Sequence, residues 1–146
     1  LWALGFPEVV KVEGHLFAKG EPLPANPSIV EDFALATLTL EKGTVVQLAC
    51  SWRLHAGQDA VISATFYGTE GGLALHNIDG SFYDFVAEHY RGTSRETISA
   101  PPDDWQGRAA VDWARRLAEG RRYDPRADQY AHVARVLDRI YGRQIR

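Results

Sequence analysis

The sequence predicts an α+β fold, with an open, mainly antiparallel sheet and helices packed on one face. Two observations carry this prediction. Alternating apolar and polar residues, typical of half-buried strands, recur from Val9 to Ala100 with turn residues between them. After Asp103 the apolar residues recur at helical spacing instead. Strands that come first and helices that follow indicate an antiparallel sheet covered by the helices on one side.

The strand pattern is interrupted where turn residues cluster. A Pro-rich stretch, GEPLPANPS, predicts a long loop after the first strand, because its prolines disfavour a regular element. The sequences GTEGG and DG predict further turns. The predicted strands therefore cover residues 9–19, 30–40, 44–54, 58–67, 73–78, 81–89 and 95–100.

Two helices are predicted after the strands. The first begins after Asp103 and Asp104, which can cap a helix, and ends at Gly120. The second follows an Asp-Pro pair, runs over residues 126–141 and ends at Gly142. Large aromatic side chains on the apolar stripes are expected to form the core between helices and sheet: Trp105, Trp113, Tyr130 and Tyr141.

The sequence EKG, at positions 41–43, predicts a three-residue hairpin turn with Gly43 in the left-handed region. Pairing of Leu40 with Thr44 then decides which residues share a face. The core face is expected to carry Ala34, Ala36, Leu38, Val46, Leu48, Cys50 and Trp52. The other face is expected to stay open and to carry Thr37, Thr39, Val45, Gln47, Ala49, Ser51, Ser63 and Thr65.

The first residues, LWALGFPEVV, indicate the last turn of a helix, from Leu1 to Leu4, closed by Gly5 and stopped by Pro7. The 146 residues include no Met. We therefore expect the chain to be a piece of a longer protein. A secreted protein cut after its leader is the alternative, although such proteins usually begin on a polar stretch.

Composition narrows the class of protein. A formal net charge of -3 argues against a nucleic-acid-binding surface. Apolar runs are far shorter than the roughly 20 residues that cross a bilayer. Cys50 is the only cysteine, so neither an intramolecular disulfide nor a thiolate zinc cluster is expected, and a cytoplasmic location fits. The histidines are too scattered for a metal spacing: His15, His76, His89 and His132.

Four stretches follow one another along the chain: LWALGFPEVVKVEG, VEDFALATLTLEKGTVVQLACSW, FYGTEGGLAL and WARRLAEGRRYDPRADQYAHVARVLDRIYGRQI. In this order they resemble the C-terminal domain of the Gfo/Idh/MocA oxidoreductases, relatives of glucose-fructose oxidoreductase and inositol dehydrogenase. The likeness covers nearly the whole chain. It implies a single C-terminal substrate and oligomerisation domain over residues 1–146, with the N-terminal Rossmann domain absent from this chain.

The resemblance also implies where the chemistry lies. Family members carry a lysine in a Glu-Lys-Pro stretch, and an Asp and a His four residues apart on a helix that ends in a Leu-Trp-like segment. Neither stretch is present, and Leu1 to Leu4 resembles the stub of that helix. No catalytic residue, no cofactor-binding residue and no metal ligand is therefore expected in this chain. NAD or NADP would serve the parent protein, with a sugar, polyol or similar small molecule as substrate.

The absence of a dinucleotide site is also expected from the residues themselves. GTEGGL has the wrong glycine spacing for a phosphate-binding turn and lies between two predicted strands.

The densest polar and aromatic stretch is SWRLHAGQD. Arg53 and His55 are its candidate substrate-binding residues, because both can hydrogen-bond sugar hydroxyls. The alternative is that Trp52 belongs to the core and that the other two are simply solvated. Ser51, His55 and Asp59 include the residue types of a hydrolytic triad, but no nucleophile elbow accompanies them.

The sequence thus leaves two functions open. One is the C-terminal domain of an NAD(P)-dependent oxidoreductase, inactive by itself, that contributes a substrate-pocket wall and a homo-oligomer interface through the open sheet face. The other is a stand-alone ligand-binding or dimerisation module without redox activity.

Overall fold

A computed structural model describes residues 1–143. They form two compact units. The first contains residues 1–54 and the chain from residue 121 onwards, and the second contains residues 55–120. The α+β class and the antiparallel pairing are confirmed, but the strands form two four-stranded sheets rather than the single sheet that the sequence predicted.

The first unit is a sheet with one helix against it. Its strands lie in the order β2-β1-β3-β4 and all pair antiparallel. They are β1 (Val9–Ala18), β2 (Glu21–Pro22), β3 (Phe33–Leu40) and β4 (Val45–Ser51). β2 lies in the loop that was predicted to contain no regular element. A 3-10 turn, Trp2–Leu4, precedes the sheet and ends at Gly5 with a φ of 75°, as predicted.

The hairpin between β3 and β4 has the predicted register. The backbone N–H of Leu40 donates to the carbonyl of Thr44 at 2.8 Å, and Thr39 pairs with Val45. Gly43 has a φ of 85°, in the left-handed region. The three-residue turn is therefore confirmed.

The helix of the first unit, Gln129–Ile140, follows a short 3-10 turn, Pro125–Asp128. It is called α2 here because an earlier helix, α1 (Arg108–Ala118), belongs to the second unit. Val136 and Ile140 of α2 are buried with five sheet residues: Val9, Leu16, Ala36, Leu38 and Leu40.

A glycine sets the distance between α2 and the sheet. A Cβ atom placed on Gly14 would lie 2.6 Å from the carbonyl oxygen of Ile140 and 3.2 Å from its Cα. The guanidinium of Arg139, also in α2, donates to the carbonyls of Val9 and Val10, where the pairing of β1 with β3 shifts. Side-chain hydrogen bonds thus join α2 to β1.

The fully buried residues of this face lie on β1 and β3, and Val46 of β4 packs against them partly buried. Leu48 and Cys50 are exposed, and Trp52 is 68% exposed. The prediction that Trp52 lies under the helices is therefore wrong. It follows the end of β4, where strand alternation no longer applies, and its indole N–H donates to the carbonyl of Glu31 at 2.8 Å.

The second unit holds the other sheet, with strand order β5-β6-β7-β8. The strands are β5 (Ser63–Tyr67), β6 (Gly72–Asn77), β7 (Phe85–Arg91) and β8 (Ser94–Ser99). Ser63 and Thr65 therefore belong to a different sheet from Thr37 and Thr39, and the predicted common open face is wrong in this respect. The N-cap of α1 is Gly107, not Asp103 or Asp104.

Three of the four aromatic residues predicted as helix-to-sheet core are exposed: Trp105, Trp113 and Tyr130. The pattern correctly marks an apolar stripe on each helix but does not say what covers it. Trp105 precedes α1, and its indole N–H donates to the carbonyl of Tyr83 at 2.8 Å. Tyr141 is half-buried, packs against the first unit's core and donates its hydroxyl proton to Glu31. This hydrogen bond raises the pKa of the Tyr141 phenol.

Candidate functional site

A cavity of about 480 Å³ lies in the first unit. Its position follows from strand register, because Phe17 pairs with Phe33 and Phe33 pairs with Ser51 across three neighbouring strands. These residues alternate with those that point towards α2, so the cavity is on the opposite, open face. The side chains that define it are Phe17, Lys19, Asp32, Phe33, Ser51 and Arg53.

Local hydrogen bonds hold the polar rim of this cavity. Asp32 accepts a bond from the backbone N–H of Lys19 at 2.8 Å. The Ser51 hydroxyl donates to the Asp32 carbonyl at 2.6 Å and accepts from the backbone N–H of Arg53 at 3.1 Å. The Phe17 and Phe33 rings, with centroids 6.0 Å apart, provide an apolar surface beside these groups.

Arg53 is the group in this cavity best suited to bind a ligand. Its guanidinium lies 5.8 Å from the centre of the Trp52 ring, within cation–π range. It makes no hydrogen bond or ion pair to a side chain among residues 1–143. The five N–H donors of an arginine are therefore available to hydroxyl or carboxylate oxygens of a ligand.

The other predicted site residue, His55, belongs to the second unit. It is exposed, and its side chain has no hydrogen-bond or ion-pair partner in the described part of the chain. Asp59 belongs to the same unit as His55, whereas Ser51 belongs to the first unit. Neither unit by itself brings together the three residue types of a hydrolytic triad from this stretch.

A second cavity, of about 730 Å³, lies in the second unit and was not predicted. The two hairpin turns at one end of the sheet form it, one around Gly68 and Gly71 and the other around Gly92. The glycine-rich sequences GTEGG and RGTS were its only signal. Nothing in the pattern of apolar residues indicated that the two turns would enclose a space.

A buried carboxylate, Glu88, lies in the same sheet as this cavity. Glu88 is 6% exposed. Its oxygens accept a hydrogen bond from the Tyr90 hydroxyl at 2.9 Å and lie 3.3 Å from Nε of Arg95 and 3.6 Å from Nε2 of His76. The bond to Glu88 raises the pKa of the Tyr90 phenol, because it stabilises the protonated form. Arg95 and Tyr90 thus satisfy a carboxylate that would otherwise be costly to bury.

Metal-ligating clusters and membrane-spanning helices are both absent from the described part of the chain. Among residues 1–143, no group of three or more His, Cys, Asp or Glu side chains is arranged to hold a metal ion. No helix in that range combines the length and the apolar character that crossing a membrane requires.

Comparison with known protein families assigns part of the chain. The GFO/IDH/MocA C-terminal domain model matches residues 1–74, which include the whole sheet of the first unit and the cavity around Arg53. No curated protein matches the sequence. The family match spans half of the chain, and the chain therefore belongs to the GFO/IDH/MocA C-terminal domain family.

Proposed function

We propose that this chain is the C-terminal domain of a cytoplasmic, NAD(P)-dependent oxidoreductase that acts on a sugar, polyol or similar small molecule. In this proposal the chain contributes one wall of the substrate pocket and an oligomer interface. The observation that carries it is that the Arg53 cavity lies entirely within the segment that the family model matches. The substrate-facing residues are proposed to be Arg53 and His55.

The chemistry of the cavity suits such a substrate. The Arg53 guanidinium donates hydrogen bonds, the Asp32 carboxylate and the Ser51 hydroxyl accept them, and the phenylalanine rings cover the C–H groups of a carbon skeleton. A polyol presents both kinds of group. The role of this chain in the proposal is to bind and orient the substrate.

The redox step is assigned to another part of the protein. A nicotinamide cofactor, held by an N-terminal Rossmann domain, would accept or supply the hydride. The chain itself is proposed to bind no cofactor and to have no activity alone. A reducing compartment is consistent with a single, exposed Cys50.

Replacing Arg53 in the complete gene product tests the substrate wall. We expect the complete protein to reduce NAD or NADP with a polyol or sugar. We expect Arg53→Ala to raise KM for that substrate about tenfold, the equivalent of one lost charge-assisted hydrogen bond, and to leave the Kd of the cofactor unchanged. The assay is nicotinamide absorbance with varied substrate, together with fluorescence titration of the cofactor.

Arg135→Ala is the matched control, because Arg135 is exposed on α2 and does not line the cavity. An equal KM for the two variants would contradict a substrate role for Arg53. A complete protein without any dinucleotide-dependent activity would favour the alternative, a ligand-binding or dimerisation module without redox activity.

The open face of the first sheet is proposed to be the oligomer interface. Near the turn between β3 and β4, the residues opposite α2 are exposed or half-buried, and all but Gln47 are short: Thr37, Thr39, Val45, Gln47 and Ala49. Short side chains allow two sheets to pack at about 10 Å, so a second copy of the chain can approach closely.

Two charges placed on this face are expected to separate the copies. The native chain should sediment as a dimer at tens of micromolar, and the Gln47→Lys, Ala49→Glu double variant should sediment as a monomer of 16.3 kDa. Burying unmatched charges in a sheet-to-sheet contact costs more than such a contact supplies. Ala131→Lys, Ala134→Glu, on exposed positions of α2, is the control. A native monomer, or a dimer that survives the first pair of charges, would exclude this interface.

A further inference from the structure

Strand register places four lining residues of the second unit's cavity side by side. Tyr67 pairs with Gly72, Gly72 pairs with Tyr90, and Tyr90 pairs with Arg95. These four residues therefore form one row across β5, β6, β7 and β8, on one face of the sheet. All four line the cavity. The row presents two phenol rings and a guanidinium, with a residue that has no side chain between the rings.

Gly72 leaves the space between the two tyrosine rings free of a side chain. A Cβ atom at Gly72 would lie 3.0 Å from the Phe66 carbonyl oxygen and 3.3 Å from Cδ2 of Tyr90. Tyr67 is 88% exposed and stacks on no other ring among the described residues. An aromatic ring that stands in solvent at the edge of a cavity offers its face to the C–H groups of a ligand.

The charges around the cavity are nearly balanced. Arg95 is its only cationic lining residue, and its Nε lies 3.3 Å from buried Glu88. A second carboxylate, Glu70, also lines the cavity. A small anion would therefore meet more negative than positive charge. A neutral ligand meets no such penalty and finds hydroxyl groups of Thr93 and Ser94 at the second turn.

The Arg95 guanidinium keeps donors for such a ligand. Its one contact within the described chain is through Nε, so the terminal amino groups have no protein partner there. Glu88 accepts the Tyr90 hydroxyl and forms an ion pair with the guanidinium, so both groups are directed to the same side of the sheet. A fixed donor next to an exposed ring is an arrangement that binds a molecule with C–H groups on one side and hydroxyls at its edge.

We propose that the cavity formed by Tyr67, Gly72, Tyr90 and Arg95 is a binding site for a neutral, polyhydroxylated ring, such as a monosaccharide. The site is separate from the Arg53 cavity, and no residue of it belongs to the first unit. It is a binding site only, since the row contains no group placed to act on a ligand covalently.

Amide chemical-shift titration of the full 146-residue chain tests this site. The probes are D-glucose, D-galactose and D-mannose, with inorganic phosphate as the anionic probe. At least one sugar should give saturable shifts confined to the two turns, residues 67–72 and 90–95. Tyr67→Ala should weaken that binding about tenfold, because it removes the ring face. Tyr83→Ala, which removes another exposed tyrosine that lies outside the cavity, should leave it unchanged.

Three results would overturn the proposal: no saturable shift with any of the three sugars, tighter binding of phosphate than of sugar at these turns, or equal sugar affinity of the two tyrosine variants. Arg53→Ala distinguishes sugar binding at this cavity from sugar binding at the Arg53 cavity. If that variant alone abolishes the shifts, the sugar binds at the Arg53 cavity and the second site is excluded. Equal sugar affinity of the two tyrosine variants would exclude the second site and would leave the proposed role of Arg53 unaffected.

Discussion

Leu40→Ala is expected to lower the free energy of unfolding of the first unit by about 3 kcal/mol, within the range measured for buried leucines. Leu40 is 2% exposed and lies in the core between the sheet and α2. Its removal leaves a cavity that a sheet fixed by backbone hydrogen bonds cannot close. Hydrogen exchange of the β1 and β3 amides measures the effect, because it reports on this unit separately.

Leu48→Ala is the control for this experiment. Leu48 has the same side chain on the same face of the sheet but is 42% exposed on β4. Its replacement should cost less than about 1 kcal/mol, since surface positions rarely cost more. Similar losses for the two variants would mean that α2 covers β4 as well, contrary to the burial described above.

Gly14→Ala is expected to have the second largest effect, a loss of about 2 to 3 kcal/mol for overpacking at a helix–sheet contact. The new methyl group would lie 2.6 Å from a backbone oxygen of Ile140, and a backbone atom cannot rotate away. The helix must move off the sheet instead. Urea denaturation followed by far-UV circular dichroism, together with exchange of the β1 amides, measures the change.

His15→Ala, at the next position on β1, is the control. His15 is exposed on the opposite face of the sheet, where α2 does not lie, and because that face is the proposed oligomer interface both variants are compared in the Gln47→Lys, Ala49→Glu background. The variant should unfold at nearly the urea concentration of the native chain. A Gly14→Ala protein as stable as the His15→Ala protein would show that α2 does not approach β1 as closely as the structure has it.

Local features of the fold were predictable because neighbouring residues determine them. The turn after Leu40 needs a left-handed residue at Gly43, and its length fixes the pairing of Thr39 with Val45. Sheet membership is different. Alternation marks β4 and β5 as strands but carries no information on whether they share a sheet. The prediction of one sheet, and of a common face for Thr37 and Ser63, failed for this reason.

The prediction that large aromatic side chains would be buried failed for the same reason. The helical spacing of Trp113 and Leu117 indicates an apolar stripe, but a stripe becomes core only where another element covers it, and α1 is exposed on this side. Arg53 could be predicted as a candidate site residue because polar and aromatic residues cluster in SWRLHAGQD, and its role stays a prediction. The pair Tyr67 and Tyr90 was missed, since only sheet register brings two residues so distant in sequence into one row.

The first unit is made from both ends of the described chain, with the second unit inserted between residues 54 and 121. During synthesis β1 and β3 emerge before the second unit, and the helix that completes their core emerges after it. Residues 55–120 are continuous and can fold as soon as they leave the ribosome. The first unit must keep the apolar face around Leu38 exposed until α2 has been synthesised. A ribosome that stalls before Gln129 therefore carries a sheet with an uncovered core, the kind of surface that chaperones bind.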